Sequence, residues 1–172
     1  SAAPKAAAAR PSVYSEAFAK QIQFEKLEHN LKRTDCGKPY NIVFRFYNNS
    51  EGYARIRSVE WLDAPPDGET NPELEYSTDR INPKKLAQNY SWVRVKGQCA
   101  KAGAGSRRLK VTIESDPTGQ MTSQELSFSY EGFFYERRNV KKMAEFTPKT
   151  LDFGVLAAGE SQTLKFYVKN VY

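Results

Sequence analysis

One histidine and two cysteines occur among 172 residues, and that scarcity narrows the chemistry at once. His29 lies between Glu28 and Asn30 in what reads as a polar turn, so it is expected to be an exposed surface residue. Cys36 and Cys99 with this single imidazole do not make a tetrahedral zinc set. Either thiol, as a nucleophile, would need a base beside it, and His29 is a poor candidate. No glycine-rich loop leads into a helix to cradle phosphate. The stretch GAGS at Gly103–Ser106 runs instead into Arg107, Arg108 and a strand-like segment. The carboxylates Asp63, Asp67, Glu69 and Glu73 are spaced too irregularly for a calcium loop. The sequence therefore assigns no catalytic residue, no metal and no cofactor, and predicts a protein that is not an enzyme.

Cationic chemistry is more plentiful. Lys and Arg outnumber Asp and Glu 26 to 20, giving a formal charge of +6 and a pI near 9.2. Arg45, Arg55, Arg57, Arg94, Lys96 and Lys110 all fall opposite the apolar rows of their segments, and Arg107–Arg108, Arg137–Arg138 and Lys141–Lys142 add basic pairs. Two readings stand. These are solvated sheet positions whose charges protect edges, or they form a surface for nucleic acid, an anionic surface or an acidic protein. Tyr47 and Trp92 lie among them and would supply the stacking that a single-strand binder needs. Residues 1–14 open with SAAPKAAAARPS, which has no aromatic or large aliphatic residue and cannot bury enough surface to offset ordering. They read as a flexible basic arm. Arm and basic face together make a polyanion-binding or coat protein the alternative function. No apolar run approaches the roughly 20 residues of a membrane helix, so no transmembrane segment is expected.

Strands must position these side chains. Tyr and Phe each occur ten times, a composition that suits pleated, half-buried surfaces. In YSEAFAKQIQFEKLEHN, Ser15 caps a short helix carrying Phe18. The second half, Gln21–Leu27, reads as a first strand with Ile22 and Phe24 on one side, leading to a turn at His29–Asn30. From Pro39 onward the period is two. Ile42, Phe44 and Phe46 form one inward row; Ala54 with Ile56, Val93 with Val95, and Leu109, Val111 and Ile113 form others. A short strand is expected near Leu74–Tyr76. NNSEG, DAPPDGETNPE and DPTGQ read as turns or loops, and AKAGAGSRR as a flexible connection. Residues 15–142 are thus predicted to form an all-β, immunoglobulin-like antiparallel β-sandwich with Greek-key connections.

Residues 143–172 read as a C-terminal hairpin, with Leu164, Phe166 and Val168 on one face and Lys165, Tyr167 and Lys169 on the other. Two strands alone are marginal in water, so the apolar row is expected to be buried in one of three ways: by completing the upstream sandwich, by strand addition to another chain, or within the rest of a second repeat. The stretch from Glu125 to Asn170 resembles a junction between ASH (abnormal spindle/Hydin) repeats, immunoglobulin-like domains related to the major sperm protein and PapD-like sandwiches. Phe128, Gly132, Pro148, Leu151, Phe153, Gly154, Gly159 and Asn170 carry the resemblance. IQFEKLEHN and NIVFRFYNNSEGYARIRSVEWL match the first strands more loosely. The upstream domain lacks the Leu-x-Phe-Gly glycine and has a long APPDGETNP loop. The resemblance implies a non-enzymatic scaffolding module within a larger assembly, of a cilium or flagellum or of bacterial envelope or appendage machinery. Its partners would be other protein subunits, bound through strand edges and a basic sheet face.

Cys36 reads as opening one strand and Cys99 as ending another, a separation that suits an intersheet bridge of immunoglobulin-like domains, although the usual Trp spacing and tyrosine corner are absent. A bridge would imply a periplasmic or extracellular setting; two free thiols would fit a cytoplasmic or ciliary one. Asn48-Asn49-Ser50 and Asn89-Tyr90-Ser91 match the glycosylation acceptor pattern.

Overall fold

The structure, a computed structural model, describes residues 13–66, 68–116, 118–135, 144–148 and 150–170. The expected basic arm lies outside these residues except for Val13 and Tyr14, as do Asp67, Arg137, Arg138, Lys141 and Lys142. The chain divides after Tyr135 into two compact units.

The first unit begins with β1 (Val13–Tyr14), the single helical turn α1 (Glu16–Ala19) and β2 (Ile22–Phe24). Ser15 caps α1 by accepting a hydrogen bond from the Phe18 amide at 3.2 Å, and α1 buries Phe18. There follow β3 (Glu28–Asp35), β4 (Tyr40–Asn48), β5 (Tyr53–Trp61), β6 (Glu73–Tyr76), β7 (Tyr90–Gly97), β8 (Gly103–Asp116) and β9 (Gln120–Phe133). One sheet has the order β1-β9-β8-β5, with β3 on the same edge of β9 further along; the other has the order β2-β4-β7-β6. The hairpins β6–β7 and β8–β9 stay within a sheet, whereas the connections β4 to β5, β5 to β6 and β7 to β8 cross between sheets. This is a Greek-key, immunoglobulin-like sandwich.

Period-two alternation builds its core. Ile42, Phe44 and Phe46 with Val93 and Val95 come from one sheet; Ala54, Ile56, Leu109, Val111, Ile113, Leu126 and Phe128 come from the other, and all are at most 2% exposed. Phe18 and Ile81 close the cluster. A bulge in β5, between Ile56 and Ser58, sets two residues against one. It keeps Val59 and Trp61 in contact with the core after Ala54 and Ile56 while Arg55 and Arg57 stay outside.

Three local expectations are corrected. His29–Asn30 is not a turn, because both residues belong to β3, which pairs parallel with β9; β1 does the same. The sandwich is therefore antiparallel except along this edge. A bulge at Leu31–Lys32 interrupts β3, with Lys32 at φ 53° and its amide donating to Asn30 Oδ1 at 2.8 Å. Nor is Gly103–Arg108 a flexible link: it is the first half of β8, paired with Ser127–Gly132 of β9. Gly105 there serves close approach, since a Cβ on it would collide with the Tyr130 ring, whereas Gly103 supplies a φ of 112°. Finally, Cys36 does not open a strand but directly follows β3.

The second unit is a two-stranded antiparallel sheet of β10 (Ala144–Thr147) and β11 (Tyr167–Asn170), four residue pairs in register from Ala144–Asn170 to Thr147–Tyr167. The intervening described residues form no ladder.

Candidate interaction surfaces

The six cations singled out above all lie on outward positions, but on two different faces. Arg45 on β4 and Arg94 and Lys96 on β7 project from the β2-β4-β7-β6 sheet; Arg55 and Arg57 on β5 and Lys110 on β8 project from the other. There is thus no single basic face. Each of the six also has a carboxylate. On the first sheet Arg94 and Lys96 share Glu75 at 3.0 and 2.7 Å, and Arg45 reaches Glu25 at 3.8 Å. On the second, Arg55 and Arg57 bracket Glu114 at 3.1 and 3.3 Å, and Lys110 meets Glu60 at 3.2 Å. Hydrogen bonds from Lys96 and then Arg94 hold the Glu75 carboxyl below its ordinary range. For Glu114, burial pushes the pKa up, but hydrogen bonds and charge from Arg55, joined by Arg57, pull it further down, leaving it lowered.

The aromatic residues among these charges are engaged as well. Arg94 stacks over the Trp92 ring at 4.5 Å and Arg45 over Tyr90 at 5.3 Å. The Tyr47 hydroxyl donates to Glu25 at 2.7 Å. Rings covered by the protein's own guanidinium groups, themselves paired with carboxylates, are poorly placed to stack nucleobases. On the outer face of the other sheet a shallow trough of about 510 Å³ runs over Ala104, Ser106 and Ser129, where small side chains leave the surface low.

Cys36 and Cys99 are joined by a disulfide with Cα atoms 4.8 Å apart, within the range a disulfide spans. It ties the end of β3 in one sheet to the segment after β7 in the other. Both cysteines are at most 2% exposed. Gly132 makes room for the bridge: a Cβ there would sit 2.8 Å from Cys36 Sγ and 2.9 Å from the Lys101 carbonyl. His29 is only partly exposed and meets the Phe44 ring edge-on at 4.9 Å. Burial, then nearby Lys26, lowers its pKa, against a hydrogen bond with the Val43 backbone.

Two polar residues that read as surface positions, Arg107 in a basic pair and Asn48 in an acceptor pattern, are buried. Arg107 is 6% exposed. It lies 4.8 Å under the Trp61 ring and donates to the Asp63 carbonyl at 3.2 Å and to Asn71 Oδ1, pinning both ends of the loop between β5 and β6. Its parity with Leu109, Val111 and Ile113 is the signal that would have placed it inside. Asn48 shares parity with Ile42, Phe44 and Phe46 and is fully buried. Its amide donates to the carbonyls of Gly52, Asn82 and Ile81 at 2.9, 3.0 and 3.4 Å, and its Oδ1 accepts from the amide and hydroxyl of Ser50. Asn48 is therefore the keystone of its corner, with no amide nitrogen left for a glycan.

The second unit is the other candidate. Leu151, Phe153, Leu156, Phe166 and Val168 are 36–56% exposed, and Val155 completely so. Within the unit itself Leu164 is half-buried and Phe166 and Val168 are exposed. No helix among the described residues is long and apolar enough to cross a membrane.

No protein-family profile matches the sequence, and no curated protein matches it. Solved structures do. The chain is similar to the ASH/PapD-like domain 7 of human CEP192, at 11% identity and a TM-score of 0.49 over 79% of this chain and 96% of that domain. It is similar to WR4, an MSP family member of C. elegans, at 8% identity and a TM-score of 0.43 over 66% of this chain and 98% of that one. It also resembles the Vibrio cholerae VesB protease, at 9% identity and a TM-score of 0.48 over 66% of this chain, which spans 32% of the protease.

Proposed function

We propose that the chain is a non-enzymatic structural module that contacts other protein subunits of a larger assembly. One observation carries this reading: in the 144–170 unit Leu151, Phe153, Val155 and Leu156 of the connection and Val168 of β11 are exposed, and among the described residues the unit's sheet has two strands. Contiguous exposed apolar surface marks an interaction site, and an open strand edge is the usual place for an extended segment to add. The buried Cys36–Cys99 bridge supports an oxidising compartment, which favours envelope or appendage machinery over a ciliary setting. The polyanion-binding alternative loses support from the pairing of all six cations with carboxylates.

Photocrosslinking in native cells tests the proposal. A benzoylphenylalanine at Val155 or Val168 is expected to form adducts with a defined protein subunit, and one at Glu51, in an exposed turn of the sandwich, is not. Absence of adducts at both hairpin positions overturns it. Binding to heparin or RNA that falls steeply with salt would move the assignment to the polyanion reading.

A further inference from the structure

We infer that the outer face of strands β3, β9 and β8 carries a binding trough for a short, uncharged saccharide chain. The inference goes beyond the hairpin reading and concerns the first unit alone. The trough over Ala104, Ser106 and Ser129 continues, past Asn30, into a second hollow beside Ser127 and Arg108. Their volumes are about 510 and 370 Å³, the size of small-molecule clefts. Along β9 the lining runs from Ser127 to Glu131, about 14 Å at the rise of a strand. Strand pairing sets its rows: Asn30, Ser129 and Ser106 lie side by side, and so do Glu28, Ser127 and Arg108.

The polar groups of this trough are unengaged. Elsewhere on β8 and β9, Thr112 and Ser123 stand across from each other in register, and their hydroxyls bond at 3.0 Å. Ser106 and Ser129 hold the same cross-strand relation, yet among the described residues their hydroxyls, and that of Ser127, have no partner. Asn30 Oδ1 accepts from the Lys32 amide at 2.8 Å, which fixes the side chain and leaves its amide nitrogen free. The charges behave alike. The six cations discussed above are all paired, whereas among the described residues Glu28, Lys32, Arg33 and Glu131 form no ion pair. Arg33 stands opposite Glu131 in register but lies over the Phe133 ring, 4.8 Å from its centroid.

Donors without acceptors and acceptors without donors therefore line one trough. A polyanion would meet Glu28 and Glu131, and a cation would meet Lys32 and Arg33; like charges repel. An apolar segment would take these groups from water without replacing their hydrogen bonds. Strand addition is closed as well, since β9 lies between β3 and β8, and β8 between β9 and β5. A sugar hydroxyl donates and accepts at once. A chain of them serves both signs of charge, the serines and Asn30 without adding charge of its own.

The test titrates the full, isotope-labelled chain with trisaccharides of glucose, mannose, galactose and N-acetylglucosamine, and separately with a heparin-derived tetrasaccharide, following backbone amide shifts. A neutral trisaccharide is expected to shift the amides of 28–33, 104–108 and 127–131 saturably and to leave 164–169 unmoved. Ser106→Ala with Ser129→Ala, both outward and without partners, should keep the fold and weaken that binding about tenfold, the worth of two hydrogen bonds. If no neutral sugar moves these amides, the inference fails. Shifts with the heparin fragment alone overturn it in favour of a polyanion. Unchanged affinity in the double variant removes the serines, and the trough with them, as the site. A benzoylphenylalanine at Ser106 that captures a protein in native cells would assign the trough to a protein partner instead. Crosslinking at Val155 and Val168 decides the hairpin reading independently of all these results.

Discussion

Two stretches of this chain are written in the same alternating hand. Ile42, Phe44 and Phe46 follow one another at every second position of β4, and Leu164, Phe166 and Val168 do so leading into and along β11. The first three are at most 2% exposed, whereas Phe166 and Val168 are 53% and 56% exposed. Residue type is nearly the same, so the difference lies in what surrounds them. β4 is flanked by β2 and β7 and faces Ile56, Leu109, Val111 and Ile113 across the sandwich. Among the described residues β11 has one four-residue neighbour. Alternation specifies which side of a strand is apolar, but only a second layer turns that side into an interior.

The comparison is sharpened most by removing what locks the first region. Replacing Cys36 and Cys99 together by Ala frees a loop closed over a sequence separation of 63, which on chain-entropy grounds costs about 4 kcal/mol. Urea denaturation of the first unit's signal should shift accordingly, and adding reductant to the variant should change nothing further. A shift below about 1 kcal/mol would mean that the bridge is not formed in solution. Next comes Asn48→Ala. It takes away the side-chain donor of the Asn82 carbonyl and the acceptor of the Ser50 amide, and one of two donors each from the Gly52 and Ile81 carbonyls, in a buried corner, each unsatisfied group costing about 1 kcal/mol or more. A total of about 3 kcal/mol is expected, again confined to the first unit. Asn48→Asp should not rescue it, since a carboxylate cannot donate to the carbonyls of Gly52 and Asn82.

A third effect depends on pH. Tyr40 is pushed up to about 12, chiefly by burial and then by Tyr130, against the opposing charge of Arg107. Its raised pKa means the folded state keeps the proton longer than the unfolded state does. The resulting stability is fully present below pH 10 and is lost as pH rises through about 12. The loss is on the order of 2 kcal/mol. Tyr40→Phe should flatten this alkaline limb, measured as denaturation midpoint against pH from 9 to 12. An unchanged slope would remove Tyr40 as its cause. The hairpin carries no comparable buried phenol: Tyr167 is 71% exposed.

How much of this was legible depends on whether a residue's fate is set by its own strand or by a distant one. The inward rows of β4, β5, β7 and β8 could be read because parity is a local property of an extended chain. The same parity applied to Asn48 and Arg107 marks them as interior, but polar residue type argues the other way until the carbonyls of Gly52, Ile81 and Asn82, or Trp61 and Asn71, arrive from elsewhere in the chain. Gly103–Arg108 reads as a loop by composition; it is a strand because β9 lies along it and the Tyr130 ring fills the space a side chain on Gly105 would take. His29 reads as part of a turn for the same reason, since parallel pairing to β9 is a long-range event with no local signature. The basic positions were visible one by one. Their division between two outer faces, and their carboxylate partners up to 59 residues away in sequence, belong to topology.

The smallest expected effect tests the second region alone. Val168→Ala removes two methyl groups that are already half in water, so it forfeits little transfer free energy and opens no cavity of the kind that makes core substitutions costly. Global stability should change by less than about 0.5 kcal/mol, whereas Val95→Ala, at a fully buried position of β7, should cost roughly 2 kcal/mol by the same volume change. Parallel urea titrations of the two variants make the measurement, with the wild type as reference. Equal losses would show that Val168 is buried in solution after all, and would end the contrast between a closed sandwich and an open hairpin. A loss at Val95 alone, with crosslinking at position 168 intact, would locate the value of Val168 in contact with another molecule rather than in folding.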